Sequence, residues 1–242
     1  MAKADKLTKR LSIIGIILIV LFMVLSRILT LSPKTMLSGI VVIWAGIIIV
    51  RMYIVNGRNK EYTKMLNHLN KILTEDNDPE KYVQKCLDYA DKVEDEAFRE
   101  MLKVNSAVGY SCMCKYEEAI DTLKSADMSL LNPSHRAVAQ NNLAQFSYLL
   151  DRTDDGNRYV DDNFQELRKY IDNKSFAAAF MTTFAFYYYF KGVKHKALKY
   201  TENVIEFINN SGSTADGDMM VLKKMNELLV KIKAMPVPED ME

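Results

Sequence analysis

FAAAFMTTFAFYYYF, residues Phe176–Phe190, runs for fifteen residues without a charge. Three readings compete for it: a membrane span, an aromatic ligand box, or the buried helix of a globular domain. The choice decides on which side of a membrane most of the chain lies. Fifteen residues fall short of the ~20 that a helix needs to cross a bilayer. A third crossing would also split the helical body that surrounds the stretch. It is therefore read as a buried helix, an expectation that rests on its neighbours in the chain.

The chain has 242 residues and a net charge of +1, so its overall balance names no partner. The distribution says more. Residues 1–10 carry +3, residues 11–56 carry +3 with no acid, and the rest is therefore −5. A basic, apolar head precedes a mildly acidic body. Nucleic-acid binding needs a concentrated basic face, and none is present, so no nucleic-acid partner is expected. The three cysteines, Cys86, Cys112 and Cys114, are odd in number and unevenly spaced. That is no disulfide framework, and it suits a reducing compartment. Cys112-x-Cys114 is weak as a metal motif. On a helix, positions i and i+2 point about 200° apart, and no second pair completes four ligands.

LSIIGIILIVLFMVLS (Leu11–Ser26) and TMLSGIVVIWAGIIIV (Thr35–Val50) are each sixteen residues without a charge. Spans of about 11–31 and 35–55 reach bilayer thickness when Arg27 and Arg51 snorkel to the headgroups. Ser32-Pro33-Lys34 is expected to make the turn, with Pro33 interrupting the helix. A cleaved signal peptide would also begin basic and apolar. However, no small-x-small cleavage site follows, and a second apolar segment arrives at once. The reading is a transmembrane helical hairpin at 11–55 that contacts membrane lipid. Basic residues flank both outer ends, namely Lys3, Lys6, Lys9 and Arg10 before it and Arg51, Arg58 and Lys60 after it. This asymmetry predicts that both termini lie in the cytoplasm. Ser38, Gly39, Ala45 and Gly46 form a small-residue stripe that would let the hairpin helices, or two copies in a homo-oligomer, pack closely. Glycine is also simply common in membrane helices.

From Glu61 onward the pattern is helical. Helices are expected at 59–73, 79–93, 96–112, 116–128, 134–150, 154–170, 175–191, 194–209 and 216–234. The boundaries follow Asp78-Pro79 as N-cap and first helical residue, Asn132-Pro133-Ser134 as a break, and Gly192 and Gly212 at helix C-termini. The parts are thus a basic N-terminus (1–10), the hairpin (11–55), a linker with a degenerate helix pair (56–95), repeats (96–210), a capping helix (211–234) and a loose tail (235–242). Within Tyr116–Met128, Tyr116, Ala119, Ile120 and Leu123 share one face. Ala107, Ala144 and Ala185 recur at spacings of 37 and 41 residues, and so do Ala119, Gly156 and Ala197.

VGYSCMCKYEEAIDTLKSAD resembles the core of a tetratricopeptide repeat (TPR), with Tyr110, Tyr116, Ala119 and Ala126 at the family's large and small signature positions. Phe184-Ala185, Tyr188, Lys191-Gly192 and Ala197 repeat part of that pattern. The spacings exceed the family's usual 34, the proline is displaced to Pro133, and the middle repeat has Gly156 in place of alanine. The resemblance covers roughly 96–210. It implies an all-α fold in which the membrane hairpin is followed by a TPR-like α-solenoid of three to four helix pairs with a C-terminal cap. It also implies a concave groove, lined by the first helix of each pair, that takes a peptide or a partner helix. Carried over, the groove residues are Met101, Val104, Val108, Asn141, Gln145, Tyr148, Thr182, Phe186 and Tyr189. The basic clamp of chaperone-binding members has no counterpart, because Ala179 and Thr183 stand where a cation is expected.

Chemistry is sparse. His68, His135 and His195 are scattered, so no metal or cofactor is expected. No glycine-rich phosphate loop or nucleophile turn occurs. Asp154-Asp155 suits a helix N-terminus, and Asp161-Asp162 suits a solvated face. The expected function is a non-enzymatic adaptor or scaffold that holds a protein or peptide partner at the cytoplasmic face of a bacterial cell membrane. The alternatives are an accessory subunit of a membrane transport or export complex, contacted through its spans, and a membrane enzyme with a site in the groove.

Overall fold

The computed structural model describes residues 2–28, 32–173, 176–212 and 216–236. The loose tail expected at 235–242 therefore lies largely outside the described residues, whereas at the expected Ser32-Pro33-Lys34 turn Ser32 is outside any helix and Pro33 is the first residue of the second helix. Among those residues there are ten α-helices and no strand. They are α1 (Ala2–Ile28), α2 (Pro33–Thr74), α3 (Pro79–Lys92), α4 (Glu96–Cys112), α5 (Tyr116–Ser125), α6 (Pro133–Leu149), α7 (Thr153–Arg168), α8 (Ala177–Phe190), α9 (Lys194–Ser211) and α10 (Asp216–Ala234).

The helix starts follow local chemistry. Asp78 accepts a hydrogen bond from the Lys81 amide at 2.9 Å, with Pro79 at the first helical position. Asn132 accepts from the His135 amide at 2.8 Å, ahead of Pro133. Asp95 accepts from the Phe98 amide at 3.1 Å. Each side chain satisfies an amide that the first helical turn leaves unpaired. Asp127 caps a short 3-10 turn at Met128–Leu130, so α5 stops at Ser125, short of the expected 128.

One expectation is corrected. No linker begins at residue 56, and 59–73 is not a separate helix. Instead α2 runs for 42 residues from Pro33 to Thr74. Nothing between Arg51 and Lys60 is strong enough to stop it. Gly57 lowers helix stability by only ~1 kcal/mol, and there is no proline. The second apolar stretch and the first helix of the body are therefore one rod. This rod includes the one helix that is long and apolar enough to cross a membrane among the described residues; the apolar part of α1, Ser12–Leu25, is shorter. The α1 and α2 helices touch where Gly15 faces Ile47 and Gly39 faces the Phe22 ring. The two contacts run in opposite chain directions, so the helices lie antiparallel. A Cβ on either glycine would collide with the facing side chain.

The lower part of α2 joins the body. Leu69 and Ile72 are each 1% exposed in a core shared with α3, α4, α5 and α6. Tyr62 stacks on Phe98 with ring centroids 3.9 Å apart, and Arg58 pairs with Asp95 at 3.4 Å. A second core joins α6, α7, α8, α9 and α10, and Val138 and Tyr159 pack against both. The helices α4, α6 and α8 neighbour one another in turn, and α5, α7 and α9 each follow their partner by a tight reversal.

Those three reversals are the same structure. In the first, Cys114 N–H bonds to Ser111 O and Lys115 N–H to Tyr110 O. In the second, Asp151 N–H bonds to Tyr148 O and Arg152 N–H to Ser147 O. In the third, Gly192 N–H bonds to Tyr189 O and Val193 N–H to Tyr188 O. Each is a Schellman motif with one left-handed residue, namely Cys114 (φ 56°), Asp151 (φ 58°) and Gly192 (φ 73°). These residues lie 37 and 41 apart, the spacing of the small residues in the sequence. Ala107, Ala144 and Ala185 are all fully buried, as are Ala119 and Ala197. At Gly156 the reason for the smaller residue is visible, because an added Cβ would sit 2.6 Å from Tyr148 Cδ1.

The aromatic stretch lies inside this body. Phe180 and Phe184 are 0% and 1% exposed. The Phe184 and Tyr188 rings both stack on Tyr200 of α9, each with centroids at 5.6 Å. Phe164 of α7 meets Phe184 edge-on at 5.5 Å, and Phe190 stacks on Tyr148 of α6 at 5.3 Å. Helices on three sides cover α8, which explains its lack of a polar face.

Candidate functional site

The nine residues carried over as groove residues lie on α4, α6 and α8, which are adjacent. Their side chains do not share one environment. Met101, Val104, Asn141, Tyr148 and Thr182 are buried. Val108, Gln145, Phe186 and Tyr189 are half-exposed and form the accessible part of this face. Tyr148 belongs to the packing between α6, α7 and α8. Its ring lies over Gly156 and against Phe186 and Phe190, and its hydroxyl donates to Asn157 Oδ1 at 3.0 Å. Burial raises its pKa far above the ordinary tyrosine range. Thr182 donates to the Ala178 carbonyl at 2.8 Å and so turns its hydroxyl back on its own helix.

Asn141 is the unusual member. It is 1% exposed, and neither its amide nitrogen nor its oxygen has a hydrogen-bond partner within the protein. A buried amide without partners is a costly choice for a packed interface. Its neighbour Asn142 is 8% exposed. The α6 helix thus brings two amides to its inner side beside the half-exposed Gln145.

A separate cleft of about 830 Å³ opens elsewhere, and none of the nine residues lines it. Its walls are Asn203, Glu206, Phe207, Asn210 and Ser211 of α9, with Ile171 and Asp172 ahead of α8 and Ala177 and Met181 at the start of α8. Sequence reading missed it. The available signal was Phe207, which lies off the Val204–Ile208 core face of α9 and is 38% exposed.

The titratable residues behave as structural groups. Asp161 accepts from the Tyr187 hydroxyl at 2.6 Å and pairs with Lys191 at 2.9 Å, tying α7 to the C-terminal end of α8. The Tyr187 hydroxyl, followed by Lys191, holds the Asp161 carboxyl below its usual range. Asp154 and Asp155 stand in the first turn of α7, and Asp155 pairs with Arg158 at 2.6 Å. Asp162 is exposed. His68 meets the Tyr89 hydroxyl at 2.6 Å, and burial lowers the pKa of His135. Among the described residues no three His, Cys, Asp or Glu side chains converge on a point where a metal would sit. Ala179 is exposed, whereas the Thr183 hydroxyl donates to the Ala179 carbonyl at 3.3 Å.

No protein-family model, curated protein or solved structure matches the chain.

Proposed function

We propose that this protein is a membrane-anchored, TPR-like helical-repeat scaffold that presents the α4–α6–α8 face to a protein or peptide partner. The observation that carries the anchor is the distribution of exposed apolar side chains. Among the described residues, every exposed large apolar side chain except Phe207, Met219 and Val230 falls between Ile13 and Tyr53. Helices that are apolar all round and uncovered by protein have lipid as their natural surroundings. In this reading α1 and the upper part of α2 form a transmembrane hairpin, and the body lies in the cytoplasm of a bacterial cell.

The repeat reading is supported by the three Schellman reversals in register with the small-residue spacing. The partner face is supported by half-exposed Val108, Gln145, Phe186 and Tyr189 on adjacent helices. Amide and tyrosine side chains of this kind grip a peptide through paired donors and acceptors and through apolar area with a polar tip. The anchor raises the local concentration of whatever binds there. The role is non-enzymatic.

A photo-crosslinking residue at position 145 or 189 of the full-length protein, in intact membranes, tests the scaffold. Discrete adducts at these positions, absent when the residue is moved to exposed position 227 on α10, are the expected result. Equal adducts at all three positions would sink the reading. Gly46 favours a second role for the hairpin. Unlike Gly15 and Gly39 it has nothing within 4 Å of where a Cβ would be, so it is free to receive another transmembrane helix. Gly46→Leu should then disrupt assembly without disturbing the body. Unchanged assembly would remove that role.

A further inference from the structure

The cleft of about 830 Å³ lies apart from the nine groove positions, and neither the anchor nor the scaffold reading uses it. One wall is a single stripe of α9. Asn203, Glu206, Phe207, Asn210 and Ser211 follow at i, i+3, i+4, i+7 and i+8, so all five project from one side of its last turns. The core stripe of the same helix, Ala197, Thr201, Val204 and Ile208, runs beside them and is buried. The other wall is Ile171 and Asp172 together with Ala177 and Met181, which stand one turn apart at the start of α8. The volume falls in the usual small-molecule range of about 300–1,000 Å³.

Depth separates two chemistries in this cleft. Its inner residues are apolar, for Ala177 and Met181 are both buried. Its outer residues are polar and acidic, for Asp172 and Glu206 are exposed and come from different walls. Among the described residues no lysine or arginine lines the cleft, and neither carboxylate is in an ion pair. The negative pole of α9 and the positive pole of α8 meet at this end and offset each other, so the two carboxylates set the sign. The exposed ring of Phe207 attracts a cation placed over its face. The side-chain oxygens of Asn203 and Asn210 can accept from N–H donors, whereas the Ser211 hydroxyl is turned back on the Ile208 carbonyl at 2.7 Å. A bare metal ion would gain nothing from the apolar floor. A neutral apolar molecule would leave the carboxylates unused, and an anion would be repelled by them.

We propose that the cleft between α9 and the start of α8 binds a small organic ammonium ion that carries an apolar body. The ammonium pairs with Asp172 and Glu206 at the rim, and the apolar part rests on Ala177 and Met181 beside the Phe207 ring. Binding is non-covalent, and no group is transferred. This site does not depend on the membrane or scaffold readings.

The test is calorimetric titration of the full-length protein in non-ionic detergent micelles at neutral pH, with protein-free micelles as the blank. The probes are phenethylammonium, phenylpropionate and ethylammonium. One phenethylammonium per chain is expected. Phenylpropionate, which keeps the ring and reverses the charge, and ethylammonium, which keeps the charge and lacks the ring, should each bind at least about tenfold more weakly. Asp172→Asn and Glu206→Gln should each weaken phenethylammonium binding about tenfold, the loss expected of one charge-assisted hydrogen bond. Both positions are exposed, so the variants should keep the parent's circular dichroism. Ala177→Leu fills the floor and should also weaken binding. Should it fail to fold, Phe207→Ser at an exposed position reads the apolar contribution instead. The proposal is overturned if the parent shows no saturation by about 10 mM phenethylammonium. It is equally overturned if either other probe binds as tightly, or if the variant carrying both Asp172→Asn and Glu206→Gln binds as tightly as the parent.

Discussion

At the residue scale, the glycines of this protein divide by what faces them, and the division has measurable consequences. Gly156 lies under the Tyr148 ring, whereas Gly57 has nothing within 4 Å of where a Cβ would stand. Alanine in a helix interior ordinarily gains ~1 kcal/mol over glycine. Gly57→Ala should therefore raise the urea midpoint slightly. Gly156→Ala should lower stability by about 1–3 kcal/mol through overpacking, and shortening the facing side chain with Tyr148→Leu should reduce that difference. Asn141 supplies a second test. Its buried amide has no partner within the protein, so Asn141→Leu, of similar volume, should stabilise by ~1 kcal/mol or more in urea denaturation. A clear loss of stability would overturn this account of the amide. None of this was legible in the sequence. Gly156 stood out there only as a departure from alanine, and Asn141 only as a candidate peptide contact.

At the element scale, the seam between α7 and α8 depends on pH. Asp161 accepts from Tyr187 and pairs with Lys191, and its carboxyl is held below the ordinary value of about 4. A lowered folded-state pKa means that this stabilisation is full above the ordinary carboxylate range. It is lost as pH falls below about 4 and through the folded value. The thermal midpoints of the parent and of Asp161→Asn should thus differ at pH 6, and the gap should shrink progressively as pH falls below the ordinary carboxylate range. A constant gap would rule out the link. The helix starts at Asp78 and Asn132 could be read from the sequence because a cap is a local device of three or four residues. The end of α5 and the continuity of α2 could not. The first turns on Asp127 bonding to Ser129, and the second on the absence of any strong breaker, which local pattern reads poorly.

At the scale of the whole molecule, α10 closes the stack. Met225 and Ile232 are both fully buried against α8 and α9. Lys194 donates to the carbonyls of Lys233, at 3.3 Å, and Met235 at the end of α10. A lysine there also offsets the negative pole of the helix. Ile232→Ala should cost about 2–5 kcal/mol. On the proposed repeat reading, in which units unfold by nearest-neighbour loss, hydrogen exchange should accelerate in α8 and α9 well before α3 and α4. Uniform acceleration would instead mark a single cooperative unit, as the two cores joined at Val138 and Tyr159 also permit.

The helical class, the caps, the apolar head and the period of 37 and 41 residues were all readable from the sequence, because they are written in local pattern and composition. The place of the aromatic stretch within the body was readable too, since its length and its register with Ala144 and Tyr148 need no coordinates. Tertiary structure was required to show that α2 carries the apolar head into the body as one rod. It was also required to show that five of the nine carried-over groove residues are buried. Those facts depend on which faces meet across helices distant in the chain, and periodicity along one helix carries no information about the partner that will cover it.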